Sequence, residues 1–386
     1  MGDADLKTAV SEPTDFQFGE ASSFTTLRTL GSAAPSLGPL AAFTGTFTGS
    51  GFNTIFRPDS GATPTALPTA VSGSDNVLEL NLTRETLSFS ESLGSVPNRG
   101  FVQGDIFLNG ISYLQTISDV TVPSQPVGIH FEPGLWMVVP STSDPAEGAT
   151  VVRMASIPHG TTVQAQGTSS VLAGKPTIPA VSITPFTTGS PGSAISFPSQ
   201  TAATGGTPRI PQNLAPFISH GTITQEMLND PNSLLRNHIA SRTITSTTAI
   251  SISTAPGGRL FGGGTDNIAF LLGDAKATGP NAQALKMEAT FWIETAEFII
   301  DVPVFEPGQP PLTIPAQAGA AGQPVPEFLV NPPVPITAPR SVTVKATQIQ
   351  YSQQVFLNFN GLTWPHVSVA TLVPGSPVAI PASVWT

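Results

Sequence analysis

Residues 128–167 read GIHFEPGLWMVVPSTSDPAEGATVVRMASIPHGTTVQAQG, and this stretch decides the fold. Gly128–Pro140 is one run rich in Ile, Phe, Trp, Met and Val. A turn of Ser, Asp, Pro, Glu and Gly follows. The chain returns as Thr150–Ser156, turns at Pro158-His159-Gly160, and leaves as Thr161–Gln166. β-prone runs separated by Gly, Pro, Ser and Asp are the signature of hairpins. The stretch predicts two antiparallel strands and the start of a third.

Composition extends that reading to the whole chain. A length of 386 residues allows two or three domains, but β-barrels often run long as single domains. Hydrophobic residues make up 39% and charged residues only 10%, so a sizeable core is available and the surface must rely on Thr, Ser, Asn, Gln and Pro. The 39 Pro and 36 Gly favour short strands and rigid loops over helices. The absence of cysteine excludes disulfides, thiol catalysis and thiolate metal sites. A net charge of −10, with 15 dispersed Lys and Arg, argues against a nucleic-acid partner. The polar, acidic start is no secretory signal, and no stretch reaches the ~18 apolar residues of a membrane span. A soluble, cytoplasmic protein is the expectation.

In chain order, residues 1–37 form an irregular lead-in. Leu37–Gly51 spaces Phe43 and Phe47 through small residues, and Gly45, Gly49 and Gly51 permit close backbone approach. In Asn76–Ser90, Val77, Glu79, Asn81 and Thr83 alternate with Leu78, Leu80 and Leu82. Phe101–Asp119 is another β run, with Asn109-Gly110 as a turn or bulge. Residues 168–234 are proline-punctuated and extended, apart from a short helix over Thr222–Asp230 capped by Thr222 or Thr224. A Pro/Gly-rich passage over 301–340 is extended and semi-rigid. Two strands, Ser341–Asn358 and His366–Leu372, then close the chain. Two strands alone are marginal, so they are expected to pack on the barrel or on a neighbouring chain.

Four segments together resemble a known family. LGPLAAFTGTFTGSGFNTI, ISYLQTISD, GIHFEPGLWMVV and VVRMASIPHGTTVQAQG are similar to the nitrobindin-like branch of the calycin barrels, relatives in shape of fatty-acid-binding proteins. Gly49, Gly51, Thr54 and Ile55 match the opening motif, with Asn53 where the family usually has Pro. His130, Glu132 and Gly134 match a later strand motif. Leu235–Ser253 looks like the family's late strand pair and Ala284–Glu294 like its closing strand, so the resemblance covers about residues 38–167 and 236–295. It implies an all-β, calycin-like antiparallel barrel over 38–300. Residues 168–234 are a Pro-rich insert in it, and a C-terminal extension (341–386) carries the strand pair.

The resemblance also implies a b-type haem, with its iron ligand at the position of Lys286. Imidazole ligates haem iron well, whereas a lysine amine is protonated near neutral pH. His130, His159, His220, His238 and His366 are the available substitutes, and His130, which lies in the matched motif, ranks first. Alternation in the strand opposes Lys286 on independent grounds: Leu285, Met287, Ala289, Phe291 and Ile293 form its apolar face, leaving Lys286, Glu288 and Thr290 towards solvent. Glu132, two residues beyond His130, shares its face. The candidate ligand-binding residues are His130, Glu132, Thr54, Ile55, Lys286, Trp136 and Met154, with no metal site unless His130 holds haem.

Other motifs carry little chemistry. Gly262-Gly263-Gly264-Thr265-Asp266-Asn267 lacks the basic residue of a phosphate loop and reads as a turn. Gly-x-Ser-x-Gly is absent, and no His or carboxylate cluster has metal spacing. The leading expectation is binding of a small, largely apolar ligand, haem among the candidates, in a barrel cavity. A haem-dependent or lipocalin-like cavity enzyme, of peroxidase, nitric-oxide, cyclase or isomerase type, is the alternative. A third reading is a self-assembling protein, a homo-oligomer through the C-terminal strands. Gly134, expected where a strand meets another backbone, predicts that Gly134→Val destabilises by ~1–3 kcal/mol.

Overall fold

The computed structural model describes residues 35–98, 104–144, 146–160, 162–255, 281–320 and 322–385. Most of the lead-in and the Gly262–Asn267 turn lie outside the described residues.

Ten strands form a closed antiparallel ring. They are β1 (Gly45–Pro58), β2 (Asn76–Ser92), β3 (Ile106–Asp119), β4 (Val127–Val139), β5 (Thr150–Ser156), β6 (Thr162–Ala173), β7 (Ile244–Ser253), β8 (Gln283–Val302), β9 (Arg340–Phe359) and β10 (Leu362–Pro374). Each pairs with its predecessor, and β10 returns to β1, with Phe47 opposite Pro374 and Thr54 opposite Val367. The path is an up-and-down barrel, in which every ring strand has both edges paired.

The sequence pattern explains the layers. Alternate residues of each strand face the lumen, and one apolar cluster takes members from all ten strands, among them Phe47, Leu87, Trp136, Ala165, Phe291 and Leu372. The opposite faces of β1, β2, β8, β9 and β10 carry a second cluster, including Phe52, Leu80, Trp292, Phe298 and Val369. This outer cluster is covered by the insert and by residues 303–339. Strands buried on both faces lose strict alternation, as the run Trp292-Ile293-Glu294-Thr295-Ala296 does.

The insert lies between β6 and β7. It contributes α1 (Ala215–His220), α2 (Gln225–Asn229) and α3 (Asn232–Ile239). Thr224 caps α2, its hydroxyl accepting from the Met227 backbone N–H at 3.2 Å. The Pro-rich passage pairs Leu312–Pro315 with Glu327–Val330.

Three expectations are corrected. Residues 235–239, read as strand, are helical: Leu235 and Ile239, four apart, bury together against the barrel wall, while Arg236 reaches out to Asp230 at 2.5 Å. Asn109-Gly110 lies inside β3, and the irregularity there is on the partner side, between Phe89 and Ser92. The C-terminal pair does not pack on a barrel already complete by residue 300. It supplies the ninth and tenth staves, without which β1 and β8 would be open edges.

The wall beneath α3 is polar and buried. His238 Nδ1 accepts from the Thr371 hydroxyl at 2.9 Å, and that hydroxyl accepts from Gln350 at 2.8 Å. Burial, then the nearby Arg242 charge, lowers the His238 pKa to about 4. The unfolded imidazole binds its proton near pH 6.5, so the native state is stabilised relative to it above that pH. This stability is lost as pH falls from about 6.5 to about 4, to a total of about 3 kcal/mol. His238→Gln should flatten the melting temperature over that window. An unchanged pH profile in the variant would contradict a buried neutral imidazole.

Candidate functional site: a charged lattice and a histidine mouth in the lumen

The chain has two tyrosines, and both stand in the lumen on buried carboxylates. The Tyr113 hydroxyl donates to Glu132, and the Tyr351 hydroxyl donates to Glu85 Oε2 at 2.6 Å. Arg153 joins the groups. Its Nη2 lies 2.5 Å from Glu132 Oε1, its Nε contacts the Tyr113 oxygen at 2.8 Å, and its Nη1 donates to Gln353 at 2.8 Å. Gln115 Nε2 bridges Glu85, at 3.4 Å, to the Tyr351 oxygen, at 3.2 Å. The guanidinium carbon also lies 5.4–5.7 Å from the ring centres of Phe291, Tyr113 and Trp136.

Strand register creates this lattice. Gln115 faces Glu132 across β3–β4, Trp136 faces Arg153 across β4–β5, and Phe291 faces Tyr351 across β8–β9. Burial would push the Glu132 carboxyl up, but Arg153 and then His130 and Tyr113 override it and hold its pKa at about 2. Glu85 has no cation in contact among the described residues. Burial raises its pKa despite the hydrogen bonds from Tyr351, Thr83 and Gln115. Two lumen carboxyls are thus driven in opposite directions.

One end of the lumen above this lattice is lined by three of the five histidines, His130, His159 and His366. His130 Nε2–H donates to Glu132 Oε2 at 3.0 Å. The His159 ring stands edge-on to it, with centroids 4.9 Å apart. His366 Nε2 accepts from the Asn53 amide at 2.8 Å, and the same amide donates to Ser368 at 2.7 Å. Burial, then the charges of His130 and His159, lowers the His366 pKa to about 4. Burial and then His130 lower that of His159. Ile117 and Val355 lie opposite His130 and His366 in the strand ladders.

The sequence candidates divide between the two faces of the wall. His130, Glu132 and Trp136 face the lumen and belong to one assembly. Thr54 is buried on the outer side with Phe52 and Phe56, its hydroxyl donating to the Val367 carbonyl at 3.5 Å. Ile55 is half-buried opposite Glu79. Met154 packs outside the barrel against the small cluster of Leu108, Met137, Val139 and Val152. Lys286 is on the outer wall, ion-paired with Glu288 and facing the Phe356 ring at 6.0 Å. Of the other histidines, His220 ends α1 and His238 lies in α3.

Sequence reasoning missed Glu85, Tyr113, Arg153, Tyr351, His159 and His366 as parts of one site. A signal was present for Arg153, which occupies the lumen-facing position between Val151 and Ala155. An arginine there is buried and must be paired.

Comparison of the chain with protein-family models, with curated proteins and with solved structures returned no match. The residues present do not fit a haem held as the resembled family holds it. Lys286 is outside the lumen, the middle of the lumen is filled by Trp136, Arg153, Phe291 and both tyrosines, and His130 Nε2 is committed to Glu132. Among the described residues, no group of three or more His, Asp or Glu is arranged to hold a metal ion, and no helix is long and apolar enough to cross a membrane.

Proposed function

We propose that this chain binds a small, largely apolar molecule at the histidine-lined mouth of its barrel rather than deep in the lumen. The observation that carries this reading is the state of His130. Its Nε2–H is given to Glu132, and Glu132 is fixed by Arg153 and Tyr113. The imidazole is therefore held with its Nε2–H on Glu132, and its Nδ1 has no partner among the described residues. A ligand bearing one hydrogen-bonding group could use that nitrogen, while Ile117, opposite His130, and Val355, opposite His366, supply apolar surface. A tie to nitrobindin-like barrels, through His130-x-Glu132-x-Gly134, is part of this proposal as a likeness of architecture.

Native mass spectrometry of the purified chain should reveal a co-purified small molecule. Its occupancy should fall at least about tenfold in His130→Ala, equivalent to ~1.4 kcal/mol, and stay unchanged in His220→Ala. Equal occupancy in both variants would remove the mouth from consideration.

The same His130–Glu132 pair favours a second reading as a cavity enzyme, because a carboxylate-oriented imidazole is the arrangement of a general base. Turnover of the co-purified molecule, lost in His130→Ala, separates the two. Assembly through the C-terminal strands has less support, since β9 and β10 have no free edge.

A further inference from the structure

We propose that the outer wall of the barrel carries a second small-molecule site, for a neutral polyhydroxylated ligand such as a mono- or disaccharide. A cavity of about 360 Å³ opens there between β6–β9 and the insert. Small-molecule sites begin at roughly this size.

Strand register lays a polar platform across its base. Gln166 faces Ser253, Ser253 faces Glu288, and Glu288 faces Gln354, forming one row across four strands. The next row is Ser251, Thr290 and Ser352. Trp292 adds an apolar floor on β8, and Pro179 and Val181 of the insert form an apolar wall.

Asn232, at the start of α3, lines the same cavity and is 1% exposed. Its Nδ2 donates to the Pro179 carbonyl at 2.7 Å, but its Oδ1 is buried without a partner. A buried acceptor left unpaired is costly, and a ligand hydroxyl would satisfy it.

The charge balance selects the ligand class. Among the described residues the one charged side chain in the lining is Glu288, and Lys286 neutralises it from beside the cavity. An anion finds no free cation there among the described residues, and a cation finds the Glu288 carboxylate already paired. Hydroxyls and amides over a Trp/Pro/Val surface match a sugar ring, which presents hydroxyls at its edge and C–H groups on its faces. This site shares no residue with the histidine mouth.

Saturation-transfer NMR on the full chain, with D-glucose and cellobiose at about 10 mM, tests the proposal. That concentration detects dissociation constants in the millimolar range. Transfer to the ring protons of at least one sugar is expected. Thr290→Trp, which fills the cavity from the barrel side, should weaken binding at least about tenfold. Gln354→Ala, at its edge, should weaken it about threefold, and His130→Ala should leave it unchanged. No transfer to either sugar, or undiminished transfer in both Thr290→Trp and Gln354→Ala, overturns the assignment.

Discussion

Arg153→Ala is expected to destabilise the barrel by about 3–5 kcal/mol, the range for breaking a buried ion pair from one side. The variant leaves Glu132 fully buried without its guanidinium, held only by His130 and Tyr113, and leaves the Gln353 acceptor without its donor. Urea denaturation at pH 7 measures the effect. Because the damage is an uncompensated charge, Arg153→Met combined with Glu132→Gln should recover part of it, as strongly coupled neighbours do. Additive losses in the double variant would contradict the lattice. The pair also sets an acid limit. The Glu132 pKa is about 2 in the folded chain, below its ordinary value of 4.5. Its contribution is complete above about 4.5 and disappears as pH falls through about 2. Wild type should lose this contribution in strong acid, and Arg153→Ala should not.

Gly134→Val is the second large effect. A Cβ at Gly134 would lie 2.5 Å from the Met154 carbonyl oxygen and 2.6 and 2.7 Å from two ring carbons of Tyr113. Tyr113 cannot swing aside cheaply, because its hydroxyl is held between Glu132 and Arg153. The expected cost is about 3 kcal/mol or more, at the upper end of overpacking effects. The approach to another backbone expected from the sequence is present at the Met154 carbonyl, whereas a special backbone conformation is not. Gly134 has no left-handed backbone, and the Met154 carbonyl and the Tyr113 ring together require the missing side chain. Gly134→Ala should cost somewhat less. A melting temperature unchanged in Gly134→Val would mean that Tyr113 does not lie there.

The parts of the fold legible in the sequence are those governed by neighbours along the chain. The hairpins of 127–173 followed from turn residues between β-prone runs. The outward position of Lys286 followed from the alternation of Met287, Ala289, Phe291 and Ile293. Helix α3 was obscured because Leu235–Ser253 continues without a break into the Thr/Ser/Ile run of β7, and its amphipathic pair, Leu235 and Ile239, is short. The lattice was obscured for a different reason. Tyr351 meets Glu85, and Arg153 meets Gln353, only once the ring has closed. No local spacing encodes a partner some 200 residues away. The pairing His130–Glu132 was accessible because both residues lie on one strand face two positions apart.

Closure between β1 and β10 has a consequence for biosynthesis. β1 is made early, yet its second edge waits for a strand that emerges on the order of 300 residues later. At ~5–20 residues per second, a ribosome exposes that edge for roughly 15–60 s. Over this interval β1 can pair with β2 alone, and its apolar residues Phe47, Phe52 and Phe56 have only half their shelter. The nascent chain is therefore most open to strand-by-strand association with other copies, or to chaperone capture, through β1. That exposure ends in a single late step, when the hairpin of β9 and β10 enters the gap and closes the ring.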